Sequence, residues 1–134
     1  MKLSDIQSEW SKDSKINDIE LGSEAIKVPI LHSKYLSYLS NVKLSLRKSE
    51  SDYYKLRRVK YRYYRGELTK IELQNLGWEQ YQGNKPLKNE MEEFLQCDDQ
   101  LNTLTDKVEY YKTVVFTLEQ ILRSIQELGI SNLQ

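Results

Sequence analysis

Apolar side chains along the chain recur with helical period in two long runs, separated by a segment rich in turn formers. From Ile30 to Arg65 neither Gly nor Pro interrupts. Within that stretch Tyr35, Leu39, Val42, Leu46, Ser49, Tyr53, Leu56, Lys60 and Tyr63 follow in alternating steps of four and three. Residues at that spacing share one side of an α-helix, so the run predicts a helix packed along a single seam. In the second run Leu101, Leu104, Val108, Tyr111, Val115, Leu118, Leu122 and Ile125 alternate steps of three and four, the pattern of helix-on-helix packing. Leu87, Met91 and Phe94 extend it upstream, with a slip between Phe94 and Cys97 where Asp98 and Asp99 suit a helix break. These heptads leave open whether the partner helix lies in the same chain or in another copy.

The punctuation divides the rest. Ser4 with Gln7 three residues on has the form of a capping box, and Leu3, Ile6 and Trp10 supply a narrow apolar stripe, predicting a first helix within residues 1–16. Asn17 to Gly22 reads as a connection. Pro29 belongs either in the first turn of the next helix or inside one begun at Ser23. Gly66 is a suitable terminator for that long helix, placed at 23–65. A connecting region, 66–86, holds a short helix from Thr69 to Leu76 and the breakers Gly77, Gly83, Asn84 and Pro86, with Trp78 and Tyr81 anchoring it to the core. One helix or a pair then occupies 87–128. The expected fold is all-α: one helical domain, 1–134, built as a helical hairpin that oligomerises.

Composition adjusts this picture in two ways. Five Gly and two Pro in 134 residues argue against a turn-rich barrel or sandwich. An apolar content of 39% with mean hydropathy −0.69 makes a self-sufficient core hard to build at this length, which favours association through the heptad positions Leu101 to Ile125. No apolar run approaches the ~18–20 residues that span a bilayer, and the polar N-terminus does not fit a signal peptide. With a single cysteine, Cys97, expected as a small buried hydrophobe, the chain suits the cytoplasm.

Charge changes the picture most. The formal net charge is zero, yet residues 43–70 hold ten of the twenty basic side chains against Glu50, Asp52 and Glu67. A local excess of this kind collects polyanions. On the long helix, Lys48, Ser51, Lys55, Arg58, Arg62 and Arg65 step along one face, with Arg47 and Arg57 flanking it. Tyr53, Tyr54, Tyr61, Tyr63 and Tyr64 interleave with them; Tyr53 and Tyr63, like Tyr35, fall on the seam and are assigned to packing. Cations that hold phosphates beside aromatic faces that stack bases make a device for single-stranded nucleic acid. The candidate nucleic-acid residues are Lys48, Lys55, Arg57, Arg58, Lys60, Tyr61, Arg62 and Arg65. Neutralising about five phosphates gives a log-log salt slope of about −3.5. The competing reading is pairing of this stripe with acidic surface, either of this protein, whose C-terminal half is acidic, or of a partner to which a coiled-coil adaptor would bind. A membrane partner is disfavoured, because large apolar residues do not accompany the stripe.

Catalytic patterns are absent from the sequence. There is no Gly-rich phosphate loop and no paired Cys or His motif, and His32 is alone. Glu90, Glu92, Glu93, Asp98 and Asp99 do not have calcium-loop spacing and read as a solvated acidic face. A non-enzyme without cofactor or metal is expected.

Several stretches resemble the phage UvsY family of recombination mediators. They are Leu3–Asp5–Ile6–Gln7–Glu9 with Lys12–Asp13, then Leu21–Glu24–Ala25, then Leu31–Ser33–Lys34–Tyr35–Leu36, and a basic stretch ending Arg58–Lys60–Tyr63–Tyr64–Gly66. The resemblance is recognisable over roughly residues 1–66. It implies a small helical protein that binds single-stranded DNA and helps a RecA-type recombinase replace single-strand-binding protein, hydrolysing no nucleotide itself, in the cytoplasm of a host bacterium. It also implies a homo-oligomeric closed ring, of about six to eight subunits. The family's DNA motif has a Lys and an Arg two residues apart before Tyr-Tyr-x-Gly; Arg58 and Lys60 match these positions with the two cations exchanged. Only five residues follow Gly129, where family members tend to carry a longer apolar-basic segment, which puts the subunit number in doubt.

Overall fold

Five helices form among the residues described in this computed structural model, 2–15 and 21–133, with side chains left aside at 21–26 and 130–133. They are α1 (Leu3–Asp13), α2 (Leu21–Tyr64), α3 (Lys70–Leu76), α4 (Met91–Gln96) and α5 (Asp99–Leu133). The described residues contain no strand, so the all-α expectation holds. No described helix is long and apolar enough to cross a membrane. Most of the predicted connection from Asn17 to Gly22 lies outside the described residues; its last two positions already belong to α2.

Helix ends follow local chemistry. Helix α1 is capped two residues earlier than the Ser4–Gln7 pattern indicates: Lys2 is the N-cap, and its backbone N–H donates to the Asp5 side chain at 3.4 Å. Pro29 lies inside α2, after its start at Leu21. Gly66, at φ +69°, closes that helix. The Gly66 N–H donates to the Tyr63 carbonyl and the Glu67 N–H to the Arg62 carbonyl, the paired bonds of a Schellman ending. In α3 the Thr69 hydroxyl and the Glu72 carboxylate cap each other's backbone N–H, and Gly77, at φ +71°, ends the helix. The predicted break near Asp98 separates α4 from α5, and α5 runs past the expected end at Leu128 to Leu133.

The chain divides into two units, each with its own core. The first comprises Met1–Leu46 and Tyr110–Gln134. Ile6 of α1, Tyr35, Leu39 and Val42 of α2, and Val114, Leu118, Ile121, Leu122 and Ile125 of α5 are buried together. Helix α5 meets both α1 and α2 here, so its apolar arc is wider than a two-helix seam. Val114, fully buried, and Ile121 therefore join the core although the heptads omit them. Helix α1 is fastened by charge as well. Asp13 Oδ2 accepts from Lys34 Nζ at 2.7 Å and from the Tyr35 hydroxyl at 2.8 Å, and Lys34 Nζ stands 3.5 Å from Glu9. Burial pushes the Asp13 carboxyl up, but these hydrogen bonds outweigh it and hold its pKa below the ordinary value.

The second unit, Arg47–Glu109, has a smaller core. Met91, Leu95 and Leu101 are buried, with Tyr53, Leu56, Tyr61 and Tyr64 packed against them. Trp78 and Tyr81 stack edge-on to Tyr63 at 5.3 and 5.8 Å, which anchors the connecting region as expected. Cys97 differs from expectation: it is exposed, because it follows the last turn of the short α4 rather than pointing into the cluster.

The heptad residues assigned to association are mostly covered within the chain. Leu118, Leu122 and Ile125 are buried in the first core and Leu101 in the second; Val108 is buried too, and Leu104, Tyr111 and Val115 are half-buried. Tyr111, Val115, Leu118, Leu122 and Ile125 thus pack in the first core and Leu101 in the second, against other helices of the same chain.

Candidate nucleic-acid interface

The basic stretch of α2 separates into two parts according to what surrounds it. Between residues 47 and 58 the exposed positions are Arg47, Lys48, Ser51, Tyr54, Lys55 and Arg58. Arg47, Ser51, Tyr54 and Arg58 step by four, three and four, so these side chains share one helix face. None of the exposed residues in this span is acidic. Lys48 lies 3.5 Å from Asp52 with its side chain 78% exposed, a solvent-screened i,i+4 contact. Arg47, Lys55 and Arg58 have no ion pair or hydrogen bond among the described residues. Tyr54 is 66% exposed.

Beyond residue 58 the cations are engaged, as Arg57 is just before it. Arg57 bonds Glu92 at 2.6 Å. The Arg62 guanidinium grips Glu72 with two bonds, 2.7 and 2.9 Å, and holds that carboxyl down to about 2, aided by the Thr69 backbone N–H. Arg65 bonds Glu67 at 2.8 Å and lies 5.7 Å from the centre of the Tyr61 ring. All three arginines remain at least one-third exposed, so a phosphate reaching them would compete with a carboxylate already in place.

Lys60 departs furthest from its expected place. It falls on the buried seam, 8% exposed, with its ammonium 3.0 Å from Asp98 and 4.3 Å from the Trp78 ring centre. Asp98 is a junction. One carboxylate oxygen caps α5 by accepting the Leu101 N–H at 2.9 Å, and the other accepts the Tyr64 hydroxyl at 2.6 Å beside Lys60. Burial would raise the Asp98 pKa; the bonds from Tyr64, Leu101 and Lys60 together hold it below the ordinary value. Burial, and then the same bond, push the Tyr64 hydroxyl far up. Tyr61 is half-buried against the Met91 cluster, so it packs rather than projects.

Of the eight candidates, then, Lys48, Lys55 and Arg58 lie together on open surface. Arg57 and Arg62, half-buried, and Arg65, exposed, are each paired with a carboxylate, and Lys60 and Tyr61 face inward. Sequence reasoning left Arg47 and Tyr54 outside the candidate set, although their four-three-four spacing through Ser51 to Arg58 was the signal that groups them. No cluster of three metal-ligating side chains occurs among the described residues.

Solved structures resemble this fold. Two crystal structures of the bacteriophage T4 recombination mediator protein UvsY, lattice types II and I, align with TM-scores of 0.85 and 0.83 at 23% and 22% identity. The alignments cover 98% and 96% of this chain and 90% and 91% of those chains. A comparison with curated protein sequences gives no match. The family described as recombination, repair and ssDNA binding protein UvsY matches residues 9–131, nearly the whole chain, and the chain belongs to that family.

Proposed function

We propose that this protein is a recombination mediator that holds single-stranded DNA, without sequence preference, on the outer face of α2 and promotes loading of a RecA-type recombinase in place of single-strand-binding protein. It acts by binding and performs no chemistry of its own. The observation that carries the reading is the Arg47–Arg58 face, where four cations, a hydroxyl and an open aromatic ring stand against a partly exposed acid, Asp52, at the Lys48 contact. Phosphate contacts there give affinity that is independent of base identity. Self-association in a ring would repeat the face, so that contacts weak in one copy add through effective concentration.

The reading is tested by titrating a labelled oligonucleotide with the full chain at several salt concentrations. Four phosphate contacts per protomer give a log-log slope of about −2.8. Retention of single-strand-binding protein on the strand, with and without this protein, then tests the loading step. The alternative is a helical adaptor whose basic face takes an acidic protein surface, and Arg57, Arg62 and Arg65 do accept carboxylates. An adaptor would leave resin-bound single-stranded DNA at low salt and would ignore competing oligonucleotide.

A further inference from the structure

Tyrosines crowd the basic part of α2, and the second unit uses nearly all of them. Tyr53 and Tyr61 pack on the Met91 cluster. The Tyr63 hydroxyl donates to the Glu79 carbonyl at 2.9 Å, and the Tyr64 hydroxyl donates to Asp98. Tyr54 is different. It is 66% exposed, its one ring contact is an edge-on approach to Tyr53 at 5.3 Å, and its hydroxyl has no partner among the described residues. A ring left open on a helix adds nothing to the core. Its neighbours on the face are Ser51 one turn before, Lys55 beside it and Arg58 one turn after. Tyr54 and Arg58, four residues apart, project from the same helix face, with Ser51 a turn before them.

Resting on the proposed function, we infer that Tyr54 is the base-stacking residue of the α2 face: its ring takes a nucleobase while Lys55 and Arg58 take the adjoining phosphates. Cations alone would recognise any polyanion, including an acidic protein. A π-face set among them adds a preference for a strand whose bases are unpaired and free to stack, and it tolerates every base. The face thereby distinguishes single-stranded nucleic acid from other anions without reading sequence.

The test compares the wild-type chain with Tyr54→Ala, Tyr54→Phe and the double variant Lys55→Ala/Arg58→Ala. The probes are a labelled oligothymidylate and an abasic strand of equal length and charge, followed by fluorescence anisotropy at two salt concentrations. Wild type and Tyr54→Phe are expected to favour oligothymidylate. Tyr54→Ala is expected to lose at least about fivefold in affinity for it, while keeping its affinity for the abasic strand and its salt slope. The double variant is expected to weaken on both strands. If Tyr54→Ala keeps the full advantage of the base-bearing strand while the double variant weakens, the stacking inference is overturned and the phosphate-binding face stands. Equal losses on both strands by Tyr54→Ala, with helical circular dichroism intact, overturn it as well. Wild-type chain that binds neither strand overturns both.

Discussion

Two consecutive parts of one helix show how the same residue types take opposite roles. From Arg47 to Arg58 the open face of α2 carries Arg47, Lys55 and Arg58 with no ion pair among the described residues and Lys48 in a solvent-screened contact with Asp52, while Arg57, to one side of that face, bonds Glu92. From Lys60 to Arg65 every cation meets a carboxylate, and the innermost, Lys60, is closed off with Asp98. The difference lies in what packs alongside. The second part runs beside the connecting region and the α4–α5 junction, which bring Glu67, Glu72, Trp78 and Asp98 within reach; among the described residues, none covers the exposed face of the first part in this way. A basic stripe in a sequence is therefore two things at once here, an open cationic surface, proposed above to hold the strand, and a set of structural ion pairs.

The sharpest way to break this comparison is to remove one cation from each part. Lys60→Ala strands the buried Asp98 charge without its ammonium, and an uncompensated buried charge is costly; about 3 kcal/mol of unfolding free energy should be lost in a denaturant titration. The same measurement on Lys55→Ala should stay within about 0.5 kcal/mol of wild type.

Acid should act on the paired part first. The Asp98 and Glu72 carboxyls titrate below their ordinary values when folded, so the folded protein binds those protons less tightly than the unfolded chain. Their contribution is complete above the ordinary carboxylate range and fades as pH falls below about 4 through the folded values. The thermal midpoint should drop between about pH 5 and 2.5, and Asp98→Asn should make that drop shallower. Asp13, held down in the first unit, supplies a remainder that Asp98→Asn leaves in place.

Binding sharpens the contrast from the other side. Lys55→Ala/Arg58→Ala should make the log-log salt slope for single-stranded DNA shallower by about 1.4. Arg62→Ala/Arg65→Ala should change it less, because those arginines already have carboxylate partners. Equal effects of the two pairs would erase the distinction drawn here. The smallest effect belongs to Lys48→Ala, whose i,i+4 contact is so exposed that stability should shift by no more than about 0.3 kcal/mol in the same denaturant titration.

Much of the architecture could be read from the residues in order. The four-three spacing from Tyr35 to Lys60 marks positions that are buried or half-buried, the slip at Cys97 marks a true break, and Gly66 and Gly77 end helices at positive φ. Periodicity and turn chemistry are local, and local signals survive folding. Val114 and Ile121 escaped because a strict heptad describes two helices, while a third, α1, lies against α5 in the first core. The site was legible as a region and as a charge, not residue by residue. Lys60 stands both on the apolar seam and in the basic stretch, and only the approach of Asp98, thirty-eight positions later, resolves which role it takes. Spacing sets Tyr53 and Tyr63 on the seam, but nothing along the chain separates Tyr54 from Tyr61 and Tyr64. The sequence by itself determined where the helices run and where cations concentrate, since spacing and composition suffice for both. Which cations and rings stay open to a ligand was decided by tertiary structure, because burial and ion pairing depend on segments that meet only when the chain is folded.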